Sequence, residues 1–146
     1  MVNVLKNLEI VQNKIGCKKK NLIILHQIHS NKFYHINKAP NRKVFGDGLI
    51  TKKNGLALSV LTADCAPILI YDKKTRMIGA VHAGWKGAYK KIVVKMLKYF
   101  LKKNSKKENI IVVIGPCIAQ KNYEVKSDFY RKFINQDKNN RVYFRK

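Results

Sequence analysis

The apolar residues near the start of the chain recur about one helical turn apart: Val4, Leu5, Leu8, Val11 and Ile15. This spacing predicts an amphipathic helix over residues 3–15, and Gly16 suits its end because glycine readily adopts the left-handed conformation found there. The same periodicity predicts a long helix over residues 86–103. A shorter helix is predicted over residues 127–136, with Ser127 as its N-cap.

Short apolar runs bounded by polar turns predict strands, and they cover residues 22–28, 49–51, 56–61, 68–71, 77–81 and 110–114. Asn54-Gly55 predicts a two-residue hairpin turn between two of these strands. The run from Ile110 to Ile114 is continuously apolar, which is typical of a strand covered on both faces. Strands and helices mix without strict alternation. We therefore expect an α/β fold, a mixed β-sheet sandwich flanked by helices.

Chain length and hydropathy narrow the class of protein. A chain of 146 residues predicts one domain that buries roughly 70% of its unfolded surface. No apolar run is long enough to cross a membrane and no signal-peptide pattern opens the chain, so we expect a cytoplasmic protein. Three widely spaced cysteines argue against a disulfide framework and for a reducing compartment.

The net charge of +23 raises the question of nucleic-acid binding. Of the 31 basic residues, 26 are lysine and 5 are arginine, and they spread over the whole chain. Base readout and bidentate phosphate contacts favour arginine. We therefore expect weak, salt-sensitive binding to polyanions and no specific nucleic-acid partner.

Three short blocks place metal-binding side chains just after apolar runs. His29 is the second histidine of HQIHS, Cys65 lies within TADCAP, and His82 opens HAGWKG. Two histidines and one cysteine form a known catalytic zinc set, which leaves the fourth position for water or substrate, and copper also binds such ligands. His26 lies an odd number of residues before His29, so on a strand it faces the other way and is predicted to be a core or supporting histidine.

The residues around these blocks have competing interpretations. Asp64 either orients a ligand imidazole, acts as an acid or base near the substrate, or is a turn residue. Gly84, Lys86 and Gly87 form either a phosphate cradle at a helix start or a plain strand-to-helix turn. For Asp47, in Gly-Asp-Gly, a turn role is favoured.

Four further side chains are predicted to be structural. Trp85 is predicted to pack within the protein rather than to stack on a purine base. His35 is expected at the surface. Cys17 and Cys117 are expected to be small buried hydrophobic residues.

Four ordered blocks, HQIHS, TADCAP, HAGWKG and GPCIA (residues 115–119), resemble the multicopper polyphenol oxidase or laccase-domain family, also called the YfiH family or peptidoglycan editing factor. The resemblance covers roughly residues 20–126. It implies a single YfiH-like layered domain over residues 1–146. In the family, the second histidine of the first block, the cysteine of the second and the histidine of the third bind the metal. The resemblance therefore assigns His29, Cys65 and His82 as ligands of Zn²⁺, or alternatively Cu²⁺.

Members of this family are described as purine nucleoside phosphorylases. The resemblance implies that adenosine, inosine and S-methyl-5'-thioadenosine react with phosphate, giving the free base and a ribose 1-phosphate or methylthioribose 1-phosphate. It also implies adenosine deaminase activity as a side reaction. The alternatives are an inactive remnant that still binds metal and a copper-dependent polyphenol oxidase. The latter is disfavoured because multicopper oxidation requires more histidines than this chain carries.

The family's terminal blocks have no counterpart in this sequence. These are an N-terminal Arg-Gly-Gly turn with Leu-Asn-Leu-Gly, and a C-terminal Cys-Thr pair with Ser-Tyr-Arg-Arg. We therefore expect a partial domain, incomplete at both termini, with uncovered apolar surface and unpaired strand edges. Low stability and low activity are expected to follow, and a homodimer would cover the exposed surface.

Overall fold

A five-stranded mixed sheet forms the centre of the fold. The computed structural model describes residues 2–145. The strands are β1 (Leu22–Ile24), β2 (Phe33–His35), β3 (Gly48–Thr51), β4 (Ala57–Ser59), β5 (Ala66–Asp72), β6 (Ile78–Ala83) and β7 (Ile110–Ile114). The helices are α1 (Val2–Lys14), α2 (Trp85–Tyr89), α3 (Ile92–Lys102) and α4 (Ser127–Gln136). In the main sheet the strand order is β2-β3-β6-β5-β7, and only β2 and β3 run parallel to each other.

The antiparallel pair β5–β6 brings the segment that contains Cys65 next to the end of β6, which contains His82. Asp72 organises the turn between the two strands, because its buried carboxylate accepts hydrogen bonds from the amides of Lys74 at 2.8 Å and Thr75 at 3.0 Å. At the other end of the pair, Pro67 lies opposite His82 and Ala66 opposite Ala83. The segment before β5 and the segment after β6 therefore leave the sheet side by side.

One face of the main sheet packs against α3. This core consists of Ile50, Ile68, Ile70, Met77, Val81, Ile92, Met96 and Phe100. The sequence predicted a single helix over residues 86–103, and this is wrong in one respect. Lys91 adopts a left-handed conformation, with φ of 59°, and separates α2 from α3. The break allows α3 to lie on the sheet while α2 stays beside the end of β6.

A second, two-stranded sheet covers part of the opposite face. Here β1 and β4 pair in parallel, and Ile23 and Leu25 pack against Leu49. This layered α/β arrangement confirms the predicted mixed sandwich. The hairpin predicted at Asn54-Gly55 is wrong. Gly55 does turn the chain, with φ of 81°, but the strands on either side belong to different sheets.

The strand β7 lies at an edge of the sheet, where it pairs with β5. Its residues Ile111 to Ile114 are between 43% and 64% exposed. The prediction that this strand is covered on both faces is therefore wrong for residues 2–145. Most apolar side chains of α1 are also exposed, although the helix forms as predicted; it ends at Lys14, and Gly16 adopts the left-handed conformation just beyond it, with φ of 63°.

The helix α4 covers the predicted residues 127–136. Its N-cap is Lys126 rather than Ser127, and no side chain caps it. The segment after α4 forms a 3-10 turn over Lys138–Tyr143. Across residues 2–145 the structure contains no helix with the length and apolar character that a bilayer crossing requires.

Candidate metal centre

Three side chains from separate segments converge at the end of the β5–β6 pair. His29 lies in the loop between β1 and β2, Cys65 immediately precedes β5, and His82 lies near the end of β6. Their ligand atoms all lie within 4.8 Å of one another, and the Cys65 sulfur is 3.9 Å from Nε2 of His29. The rings of His29 and His82 meet edge to face, with centroids 4.7 Å apart. The structure thus brings together the three residues that the sequence singled out.

Asp47 is the buried centre of the hydrogen bonding behind this cluster. Its carboxylate is fully buried and accepts hydrogen bonds from the amides of Ile28, His29 and Ser30 at 3.2, 3.0 and 2.6 Å. It also accepts one from the Ser30 hydroxyl at 2.6 Å and lies 2.8 Å from Nδ1 of His82. The predicted turn role therefore understates Asp47, which holds two of the three clustered segments in place.

This hydrogen bonding determines how each histidine is presented. Because Nδ1 of His82 donates to Asp47, its Nε2 is left free as a lone-pair donor toward the cluster. His29 has φ of 54°, a left-handed conformation that is uncommon for non-glycine residues. The three amides held by Asp47 surround His29 and stabilise this conformation.

Several contributions act on the pKa of Asp47. Burial alone raises it, but hydrogen bonds from Ser30, His82 and the His29 amide outweigh burial and hold the pKa below its ordinary value. Asp47 is therefore a carboxylate at neutral pH, and it fixes the orientation of the His82 ring by accepting the hydrogen bond from Nδ1.

The pKa of Cys65 is shifted in the opposite direction to that of Asp47. Burial of the thiol, followed by the charges of Asp64 and Asp47, raises the pKa of Cys65. A thiol with this bias stays protonated at neutral pH unless a cation lies beside the sulfur. Metal affinity at this site should therefore increase with pH, because binding must displace the thiol proton.

The cluster fits a tetrahedral metal ion. With zinc bonds of about 2.3 Å to sulfur and about 2.05 Å to nitrogen, tetrahedral ligands lie about 3.5 Å apart. The observed 3.9 Å between Cys65 and His29 needs only a small contraction. Within residues 2–145 no other His, Cys, Asp or Glu completes this group, so a bound metal would keep one position open.

Gly84 provides the space in which the cluster forms. A Cβ atom at this position would lie 2.8 Å from Cδ2 of His29 and 3.0 Å from the Cys65 sulfur. Its backbone angles of −71° and 167° are open to any residue, so the constraint is the missing side chain and not the conformation. This close approach to the His29 and Cys65 side chains is a role that the sequence did not reveal.

We expect Gly84→Ala to lower metal affinity by about 10-fold or more, because the added methyl group displaces His29 and Cys65. Titration with zinc and a competing chelator measures the effect. Ala88→Gly, in the exposed part of α2, is the control and should bind zinc as the wild type does. Equal affinities in Gly84→Ala and wild type would contradict the assigned role of Gly84.

The remaining candidates lie around the cluster in different ways. Asp64 is exposed and acts on Cys65 through its charge, while Asp47 takes the imidazole-orienting role that was one alternative for Asp64. Lys86 is exposed. A Cβ on the buried Gly87 would lie 3.0 Å from the carbonyl of Ser30, so Gly87 allows α2 to pack on the His29 loop.

Four residues outside the cluster complete the comparison with the sequence. Trp85 packs edge to face on Phe129, with centroids 5.2 Å apart, as predicted. His26 is exposed against Phe45, so the predicted core or supporting role is wrong. Cys117 is also exposed, against the prediction of a buried thiol, whereas Cys17 is half-buried.

His35 is half-buried rather than at the surface as predicted, and its Nδ1 lies 2.8 Å from the Tyr99 hydroxyl. Burial, together with the nearby Lys103 and Lys52, lowers the pKa of His35. The ring is therefore neutral at physiological pH and contributes to the packing of β2 against α3.

Known proteins resemble this chain over most of its length. The sequence profile of the family described as multi-copper polyphenol oxidoreductase laccase matches residues 1–146. A purine nucleoside phosphorylase of Rickettsia conorii is 38% identical over 146 residues, which cover 97% of this chain and 60% of the relative. A purine nucleoside phosphorylase of Rickettsia prowazekii is 37% identical over 141 residues, covering 97% of this chain and 57% of the relative.

Solved structures share the fold. The crystal structure of the hypothetical protein YfiH of Bacillus licheniformis has a TM-score of 0.85 at 26% identity and covers 92% of this chain and 54% of its own. A protein of Neisseria meningitidis has a TM-score of 0.84 at 26% identity, covering 95% and 55%. The chain thus spans between 54% and 60% of the length of these four proteins.

Proposed function

The chain belongs to the multi-copper polyphenol oxidoreductase laccase family, and from this membership and the geometry of the cluster we propose a zinc-dependent purine nucleoside phosphorylase. The observation that carries the proposal is the convergence of His29, Cys65 and His82, with Asp47 fixing the His82 ring. The names of the Rickettsia relatives support the reaction class. The proposed substrates are adenosine, inosine and S-methyl-5'-thioadenosine, with adenosine deamination as a side reaction.

In the proposed reaction, an oxygen of phosphate forms a bond to C1' of the ribose while the bond from C1' to the base nitrogen breaks. The base leaves with the bonding electron pair and takes up a proton. A zinc ion at the cluster would supply positive charge to stabilise developing negative charge. Asp64, exposed beside Cys65, is the proposed group that exchanges the proton with solvent or the leaving base.

Phosphate is proposed to bind near the turn formed by Gly84, Lys86 and Gly87. The Lys86 side chain is exposed, with its ammonium 5.6 Å from the centre of the Trp85 ring, and it provides a positive charge at this turn. The net charge of +23 further raises the local concentration of anions.

A groove of about 880 Å³ next to the same turn offers room for the nucleoside. Its aromatic lining includes Tyr123, Phe129 and Phe133. Burial and the nearby Cys65 raise the pKa of Tyr123, which indicates that this wall of the groove lies near the cluster. A planar base is chemically suited to such aromatic walls.

We expect adenosine or inosine to be consumed only when phosphate is present, apart from slow deamination. Chromatography of the products with and without phosphate measures this, and Cys65→Ala is the inactive control. Cys17→Ala, which changes a cysteine outside the cluster, should retain activity. Release of adenine or hypoxanthine at equal rates in both conditions would indicate hydrolysis and contradict phosphorolysis.

Two alternatives rank lower, and each predicts a different measurable outcome. A copper-dependent polyphenol oxidase would oxidise phenols in a copper-loaded sample, but residues 2–145 hold one His–Cys cluster where multicopper chemistry requires several centres. A metal-binding remnant would bind zinc without turnover.

We also propose that the chain forms a homodimer through the exposed apolar residues of β7. Burial of these side chains would have to outweigh the repulsion between two chains of charge +23.

A further inference from the structure

The segment after β7 stays hydrogen-bonded to β5 and to the residues just before it. Ile68 lies opposite Ile114 at the end of the ladder. One residue further, the amide of Gly115 donates to the carbonyl of Pro67 at 2.9 Å. The two segments therefore leave the sheet together and do not diverge at the strand ends.

Two cysteines lie in this continuation, one on each segment. The amide of Ile118 donates to the carbonyl of Asp64 at 3.0 Å. Two residues of each segment lie between this bond and the bond from Gly115 to Pro67, and they include Cys65 and Cys117. The two bonds hold the segments side by side, so the two cysteines are near neighbours. Disulfides form between Cα atoms about 4.4–6.8 Å apart, a separation typical of adjacent hydrogen-bonded segments.

The surroundings give the two sulfurs different access to solvent. Cys65 is half-buried, and its sulfur lies next to His29 and to the Cα of Gly84, which carries no side chain. Cys117 is exposed and lines a shallow cavity of about 500 Å³ together with Asp64 and Pro116. A dissolved oxidant can therefore reach Cys117 while Cys65 is engaged with the cluster.

We propose that Cys65 and Cys117 form a redox-sensitive thiol pair, in which a disulfide between them and metal binding at the cluster exclude each other. The inference rests on the proposed role of Cys65 as a metal ligand. It follows because a thiolate binds metal strongly, whereas a disulfide sulfur carries no charge and has given its reactive electron pair to a covalent bond. Oxidation that begins at the exposed Cys117 would thus prevent Cys65 from binding metal.

With hydrogen peroxide as the oxidant, the chemistry proceeds in two balanced steps. The Cys117 thiolate attacks one peroxide oxygen, the O–O bond breaks, and hydroxide leaves and takes up a proton to become water, which gives a sulfenic acid. The Cys65 thiolate then attacks the sulfenic sulfur, the S–S bond forms, and the hydroxyl group leaves as a second water. The two sulfurs lose two electrons, and the peroxide gains them.

The test uses the full chain loaded with zinc and treated with hydrogen peroxide. Zinc release is followed with a chromogenic chelator, and the linkage is identified by alkylation and peptide mass spectrometry without reduction. We expect zinc release and the Cys65–Cys117 disulfide to appear together, leaving one of the three thiols free, and dithiothreitol to restore zinc binding. Added excess zinc should slow the disulfide.

Two variants make the test decisive. Cys117→Ser should bind zinc as the wild type does and release it much more slowly under peroxide, whereas Cys17→Ser should behave as the wild type. Zinc release from Cys117→Ser at the wild-type rate would overturn the proposal, as would wild-type oxidation without the Cys65–Cys117 linkage. Failure of Cys117→Ser to bind zinc would also overturn it, because Cys117 would then be a ligand. Nucleoside cleavage is measured separately, so a protein with the switch but no turnover refutes only the proposed reaction.

Discussion

Replacing Asp47 with asparagine is expected to lower the free energy of unfolding by about 3 kcal/mol and metal affinity by about 10–100-fold. The Asp47 carboxylate is fully buried and serves only as an acceptor, for the amides of Ile28, His29 and Ser30, the Ser30 hydroxyl and Nδ1 of His82. In asparagine an NH2 group replaces one carboxylate oxygen, so its N–H groups would face the N–H and O–H groups that now donate to Asp47. His29 would lose the bonds that hold its left-handed backbone, and His82 would lose the partner that fixes its ring.

Chemical denaturation and zinc titration measure the two effects of Asp47→Asn separately. Asp72→Asn is the matched control, because Asp72 is equally buried and accepts two backbone amides, but at the far end of β5. Asp72→Asn should lose stability and keep its zinc affinity. Wild-type zinc affinity in Asp47→Asn would show that the cluster does not depend on this carboxylate.

The free energy of unfolding should also depend on pH through Asp47. Hydrogen bonding depresses the pKa of Asp47 in the folded state, although burial opposes it. The unfolded chain therefore takes up the proton first. The stabilisation from Asp47 is present in full above its ordinary pKa of about 4 and is lost as the pH falls through the lower folded-state value. Wild type should therefore lose more stability than Asp47→Asn when the pH is lowered below about 4.

Cys65→Ala is expected to abolish both zinc binding and phosphate-dependent nucleoside cleavage. It removes the one thiolate of the cluster and leaves two histidines, too few to hold zinc tightly. Because Cys65 is half-buried just before the start of β5, the free energy of unfolding without metal should change by about 1 kcal/mol or less. Elemental analysis and the chromatographic assay measure the losses.

Cys17→Ala is the matched control for Cys65→Ala, since it removes a half-buried thiol from the segment after α1. It should retain one zinc per chain and wild-type turnover. A Cys65→Ala protein that keeps its zinc would overturn the ligand assignment. One that loses zinc and still cleaves nucleosides with phosphate would separate the metal from the reaction.

The sequence predicted the residues of the cluster better than the structure that supports them. His29, Cys65 and His82 each follow an apolar run, and the order of their blocks is specific. Asp47 was underrated because its partners lie between 17 and 35 residues away, so its five contacts become apparent only after folding. The space reserved by Gly84 depends in the same way on segments distant in sequence.

The errors in the fold have similar causes. Asn54-Gly55 does form a turn, but Leu58 packs with the β1 sheet, and this tertiary contact overrides the local hairpin preference. The continuous apolar run of β7 correctly predicted a strand, yet hydropathy cannot show which strand occupies the sheet edge. Periodicity predicted α3 but not the left-handed Lys91, which depends on how α2 and α3 each pack against β6.

X-ray absorption at the zinc edge of the zinc-loaded full chain tests the central claim most directly. Zinc held by His29, Cys65 and His82 predicts one sulfur at about 2.3 Å and two imidazole nitrogens at about 2.0–2.1 Å, with one further light atom in the open position. The sulfur contribution should disappear in Cys65→Ala. A first shell made only of nitrogen and oxygen in the wild-type protein would contradict the account.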